Sequence, residues 1–157
     1  MTVAWLATSD ALHQRALQFT GEHITGGREL QVSLLTIDET IYQLLRGMIA
    51  RHFGHTTPKR INPGMVMKQN PTLLAAFRPQ IHMAISFLLA WGTLTDCAAT
   101  ARQILDSWLE RFDDIGGLHD ALHLSLAEHS GARSLATGDA DFRSVKALPT
   151  VLQIIKL

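Results

Sequence analysis

His119-Asp120-Ala121-Leu122-His123-Leu124-Ser125-Leu126-Ala127, then Gly131-Ala132, then Leu135-Ala136-Thr137-Gly138-Asp139-Ala140-Asp141-Phe142, is the stretch on which the reading of this chain turns. Apolar residues recur at helical spacing from Leu118 to Ser130, which predicts a helix with Leu118, Ala121, Leu122, Ser125 and Leu126 inward. Gly131 suits its C-terminal end, where a left-handed residue closes a helix at least cost. Ser134 to Thr137 is short and β-prone, and Val151 to Ile155 is a second such run. Between them the polar turn Gly138 to Arg143 carries two aspartates.

Working outward from there, strands and helices alternate. Asp10 to Thr20 has one apolar face, with Leu12, Ala16 and Phe19, and Gly21 ends it. Leu30 to Thr36 reads as a buried strand. Thr36 and Asp38 offer caps for a helix through Ala50, with Ile41, Leu44, Leu45 and Met48 inward. His52 to Pro71 is loose, predicting a loop or short helices, and holds the densest positive charge at Arg51, Lys59, Arg60 and Lys68. Thr72 to Phe77 predicts a short helix closed before Pro79. Gln80 to Trp91 should include a strand, and Thr95 with Asp96 should cap a helix to about Phe112. Alternation of this kind predicts one α/β domain over residues 1–157, with a parallel sheet and helices on both faces.

In such a fold, ligands bind beyond the carboxyl ends of the strands. Four acids fall at such places: Glu39, Asp120, Asp139 and Asp141. Clustered carboxylates repel one another, and a hard divalent ion relieves the repulsion. Such an ion also acidifies a bound water and stabilises charge on a phosphodiester. Each acid has a plainer role as well. Asp120 and Glu39 suit helix first turns, and Asp139 and Asp141 suit a turn.

The same residues resemble the C-terminal half of a PIN domain. That family pairs a helix of the form Asp-Ala-x-x-x-x-x-Ala with a strand ending Thr-x-Asp-x-Asp-Phe, matched here by Asp120 to Ala127 and Thr137 to Phe142. The helix bearing Glu39 resembles the family's second acidic position, and Leu12 to Ala16 its first helix. The resemblance implies a three-layer α/β/α sandwich with a mainly parallel sheet. It implies a magnesium- or manganese-dependent endoribonuclease acting on RNA, with Glu39, Asp120 and Asp139 as catalytic and metal-binding residues, Asp141 as a further metal ligand, and Thr137 orienting the cluster. Many bacterial members are VapC-type toxins, so a small antitoxin partner and a homodimer are family-level expectations. The alternative is a degenerate, non-catalytic PIN-like domain that binds nucleic acid or protein.

One departure from the family stands out. PIN domains open with a short central strand ending in an Asp that supplies the first ligand. Here Met1-Thr2 falls where that Asp-Thr should be, so the first central strand is read as truncated or replaced. A start codon placed too far downstream, a truncated gene, or a degenerate domain in which Val3 to Ala7 fills the gap would each account for it.

Bulk composition narrows the classes further. With Lys plus Arg and Asp plus Glu at 14 each, a general polyelectrolyte-binding surface is not indicated, although a local basic patch is compatible. One cysteine, Cys97, excludes an internal disulfide, suits a reducing compartment, and reads as a small core residue. Met1 to Asp10 shows no secretory pattern, and the apolar run Ile81 to Trp91, broken by His82 and Ser86, reads as too short to span a membrane. A cytoplasmic location is therefore expected. His119, His123 and His129 mimic a zinc-protease pattern, but Asp120 replaces its Glu and Leu126 its Gly. These histidines read as surface or packing groups, with His119 close enough to Asp120 to touch RNA.

Overall fold

In a computed structural model, residues 13–54, 60–95, 97, 99–115, 117–137, 142, 145 and 152–156 are described. Helix α1, His13–Thr25, opens the described chain. It runs past Gly21, where the sequence predicts a break, and ends instead in a Schellman turn. Gly27 takes φ 69° and donates to the Ile24 carbonyl, while Arg28 donates to His23. Ala16 and Thr20 are its buried residues, and the Thr20 hydroxyl is satisfied by the Ala16 carbonyl.

Strand β1 is only Gln31–Val32, because helix α2, Leu34–Phe53, starts inside the stretch expected to be strand. The cap is Ser33 rather than Thr36 or Asp38. Its hydroxyl accepts from the Thr36 amide, satisfying one of the helix's free N–H groups. Ile37, Thr40, Met48, Ile49 and Ala50 are the buried residues of α2, and Ile41, Leu44 and Leu45 are half-buried. Helix α3, Pro63–Gln69, begins with Pro at its first turn and an Asn62 cap.

Helix α4, Thr72–Trp91, replaces both the short helix and the strand expected around Pro79. A proline inside a helix costs about 3 kcal/mol. Against it stand Leu74, Ala75, Ala76, Met83, Ala84, Leu88, Leu89 and Ala90, all strong helix formers whose preference adds up over the run. At 20 residues α4 is also long and apolar enough, by length and composition, to cross a membrane, where the shorter run did not suffice. It carries Arg78, Gln80 and His82 in its middle.

Gly92 then lets the chain pass against β1. A Cβ there would lie 2.6 Å from Val32 Cγ2. Strand β2, Thr93–Leu94, pairs parallel with β1, with Gln31 opposite Thr93 and Val32 opposite Leu94. Thr95 extends this ladder, donating to the Val32 carbonyl, and so is not the next helix cap.

Helix α5, Ala101–Ile115, is capped by a box in which Thr100 and Gln103 satisfy each other's amides. Helix α6, Leu118–His129, returns against it. Four side-chain contacts join the two helices. Ser107 donates to Glu128, Arg111 pairs with Glu128 at 2.8 Å, Trp108 donates to the Leu118 carbonyl, and Ser125 donates to the Ile104 carbonyl. Gly131, at φ 74°, ends this segment in the expected left-handed conformation. The buried face of α6 is Ala121, Leu124 and Ser125, while Leu118 is exposed. Strand β3, Ser134–Thr137, pairs parallel with β4, Gln153–Lys156, from Ser134 opposite Gln153 to Thr137 opposite Lys156. Ile115, Leu124, Phe142 and Leu152 form the core beneath this pair.

The expected three-layer α/β/α sandwich is therefore corrected. Among the described residues there are six helices and two separate two-stranded parallel sheets, β1–β2 and β3–β4, with no central sheet. Leu30 to Thr36, read as a buried strand, is strand only at Gln31–Val32 and helix from Leu34, while Gln80 to Trp91, expected to include a strand, is helical throughout; continuous apolar runs do not separate strand from helix by period. Val3 to Ala7, the segment considered as a replacement central strand, lies outside the described residues.

Candidate functional site

Glu39 sits in the second turn of α2, and His119 and His123 sit one turn apart on α6. Helical geometry places those two histidines about 40° apart on one face. That face meets Glu39 across a sequence separation of 84 residues. His123 Nε2 lies 2.7 Å from Glu39 Oε2, within range of a charge-assisted hydrogen bond. His119 Nδ1 lies 4.0 Å from the other carboxylate oxygen, Oε1. His123 is largely enclosed, with 16% of its side chain exposed, whereas Glu39 shows 38% and His119 72%.

The carboxyl of Glu39 is held below the usual carboxylate range. The His123 hydrogen bond is the main cause, partial burial opposes it, and the charges of His123 and His119 add to the lowering. Glu39 is thus kept ionised, with Oε2 engaged by His123 and Oε1 4.0 Å from His119 Nδ1.

Asp120 lies between these two histidines in sequence and about 60° around the helix from His123. It occupies the third position of α6, and its carboxylate folds back over the capping residue Gly117. A Cβ at Gly117 would fall 2.6 Å from Asp120 Oδ2, so this placement of the carboxylate depends on glycine there. A negative charge in this first turn also complements the positive end of the helix dipole.

Of the four acids picked out by sequence, Glu39 is brought to His119 and His123 of α6, the helix that also carries Asp120. Asp139 and Asp141 lie outside the described residues. Thr137, the residue before that turn, is buried at the end of β3. Sequence reasoning missed His123, reading it as a surface or packing group. The signal was present in the four-residue spacing of His119 and His123 beside Asp120. What it lacked was Glu39 as a partner, which only the approach of α2 to α6 supplies.

Among the described residues no three His, Cys, Asp or Glu side chains are grouped so as to hold a metal ion. That argues against an all-protein cage of the zinc type within this part of the chain. Magnesium makes smaller demands, taking one or two carboxylates and keeping several waters. Glu39 and Asp120 are oxygen donors of the kind that ion takes, and His123 holds one Glu39 oxygen by a hydrogen bond. No protein-family model, curated protein or solved structure matches this chain.

Proposed function

We propose that this protein is a metal-dependent endoribonuclease of PIN type, hydrolysing RNA phosphodiester bonds with Glu39, Asp120 and Asp139 as its metal-binding and catalytic carboxylates and Asp141 assisting. One observation carries the reading. An ionised Glu39 on α2 meets the face of α6 that begins beside Asp120, although the two lie far apart in the chain. The strand-to-turn segment Thr137 to Phe142 contributes the remaining acids by its resemblance to the family.

A bound magnesium or manganese ion would supply an acidified water and charge stabilisation at the phosphodiester. The roles of the chain's own groups follow from their placement. Glu39 is held in its charged form, with Oε1 on the His119 side. Asp120 places a second negative charge at the start of α6. His119, mostly exposed and next to Asp120, is set to meet an RNA phosphate. The proposed partners are RNA, a small antitoxin protein and a second copy of the chain.

A second reading, a non-catalytic nucleic-acid- or protein-binding domain, is favoured by a specific feature. Glu39 is already hydrogen-bonded to His123, and Asp120 is folded over Gly117. The two readings separate in one experiment. A single-stranded RNA is incubated with wild type, Glu39→Gln and Asp139→Asn in manganese or magnesium, and manganese binding is followed by calorimetry. Cleavage by the wild type and its loss by at least about tenfold in both variants is expected, on the scale of damaged metal sites. Equal cleavage by all three would sink the nuclease reading. No cleavage together with no saturable manganese binding would establish the second.

A further inference from the structure

We infer that α4 docks on the surface of a lipid bilayer rich in anionic headgroups, seating Met83, Phe87 and Trp91 among the acyl chains while Arg51, Arg60 and Lys68 meet the headgroups. The inference stands apart from the nuclease reading. Two independent observations carry it. The first is an apolar stripe left open. Met83, Phe87 and Trp91 follow one another at four-residue spacing, so they share one side of α4. They are 69%, 42% and 48% exposed, and the rings of Phe87 and Trp91 lie 6.5 Å apart. The stripe ends in tryptophan, the residue suited to the boundary between headgroups and acyl chains.

The second is a segregation of charge. Acidic and basic residues number 14 each, yet Thr40 to Thr95 contains no Asp or Glu and holds six of the basic ones, Arg46, Arg51, Lys59, Arg60, Lys68 and Arg78. Arg51, Arg60 and Lys68 are exposed. Lys68 closes the helix that leads into α4, and Arg51 adjoins His52, whose ring meets that of Phe77 on α4. The cations therefore border the first half of α4, and the aromatic stripe occupies its second half. A nucleic acid would match the cations and leave the stripe uncovered. An anionic bilayer matches both.

The fold sets how α4 meets the bilayer. Leu73 and Leu88 are buried against the rest of the chain, and the Thr93 and Thr95 amides, just beyond α4, donate to the Leu30 and Val32 carbonyls. Crossing the bilayer would strip these backbone bonds where no water replaces them. The helix therefore lies along the surface. Arg78 and His82 fall about 180° and 140° around the axis from Phe87, away from the acyl chains. Gln80 shares the stripe's side nearer the cationic end, at headgroup level.

Flotation of the full chain with vesicles of phosphatidylcholine alone, or of phosphatidylcholine and phosphatidylserine at two to one, reads the binding. The wild type is expected to float with the mixed vesicles, far less with the neutral ones, and less as salt rises. Arg60→Gln and Lys68→Gln should each weaken binding about fivefold. Met83→Ser combined with Phe87→Ser should weaken it by at least about tenfold. Brominated lipid should quench the tryptophan fluorescence of the wild type, and Trp91→Phe should lose that quenching. If circular dichroism shows the double serine variant unfolded, the charge variants and the quenching decide. Absence of binding to both vesicles overturns the proposal. Binding of single-stranded RNA weakened by the same charge variants would then mark a nucleic-acid surface, and a dimer dissociated by the serine pair would mark a second copy on the stripe. Vesicle binding that the folded serine pair leaves intact, without quenching at Trp91, is adsorption by charge alone and overturns the seat on α4.

Discussion

Two helical regions of this chain differ in how apolar their sequences are, and the more apolar one is the less buried. The α5–α6 hairpin has a patterned inner face and is fastened by polar contacts. Helix α4 is apolar on most sides, yet Leu73 and Leu88 are its buried residues, and Leu74, Met83, Phe87, Leu89 and Trp91 are exposed. In the hairpin, pattern sets which face is buried. In α4, composition makes a helix but does not choose a face. The lesson is that apolar content decides whether a segment is ordered, while periodicity and polar partners decide where it docks.

The sharpest way to break this contrast is Leu124→Ala. Leu124 is fully buried in the core with Ile115, Phe142 and Leu152. Truncating such a leucine removes transfer free energy and leaves a cavity, so a loss of about 3 kcal/mol is expected within the usual 2–5 range. Urea unfolding followed by circular dichroism measures it. A loss below about 1 kcal/mol would mean that the hairpin's inner face is not the core it looks like.

Ser125→Ala tests the polar fastening separately. Ser125 is fully buried, and its hydroxyl donates to the Ile104 carbonyl at 3.1 Å. Removing the donor leaves the Ile104 carbonyl with its place in the α5 ladder but without this link between the two helices. The expected loss is about 1 kcal/mol, as for a typical buried hydrogen bond. A variant as stable as the wild type would show that apolar packing alone docks the two helices.

Much of the hairpin was legible in the sequence. The helix from Leu118, its glycine at 131 and the strand Ser134–Thr137 all came from local pattern and end signals. The buried face was read less well, because Leu118 was placed inward and Leu124 was not. Leu118 lies in the first turn, and Leu124 sits opposite a core drawn from the distant Phe142 and Leu152. Helix α4 was illegible for a different reason. Pro79 looked like a boundary, and a continuous apolar run carries no period to contradict it. The central sheet is absent partly because the Ser33 cap turns Leu34 to Thr36 into the first turn of α2 and leaves Gln31–Val32 as strand. At the candidate site the acids were found by their places in local pattern. His123 was not, since its meaning depends on a partner 84 residues away.

The link between the hairpin and α2 gives a pH-dependent refinement of the comparison. Glu39 is held below the usual carboxylate range by His123, so it contributes stability when ionised. That contribution is present above the carboxylate range of the unfolded chain and is lost as pH falls through the lowered folded value. Glu39→Gln lacks it at every pH. The stability difference between wild type and variant should therefore be largest near neutrality and should vanish in acid. Since Glu39 is partly exposed, solvent and salt screen the effect, and it should shrink further in high salt. A difference that stays constant with pH would mean the bridge contributes by packing rather than by charge.

The smallest expected effect belongs to α4. Met83 has 69% of its surface exposed, so Met83→Ser removes little buried area from the isolated chain. Exposed substitutions of this kind stay within about 0.5 kcal/mol. Serine is also a weaker helix former than methionine, which sets a floor of a few tenths of a kcal/mol. The informative comparison is with Leu124→Ala under the same urea titration. Both changes shorten an apolar side chain on an α-helix, and they differ in whether other side chains surround it. If Met83→Ser cost as much as Leu124→Ala, the outer face of α4 would be covered in solution. The contrast between the two helices would then lie in what surrounds α4 and no longer in its sequence pattern.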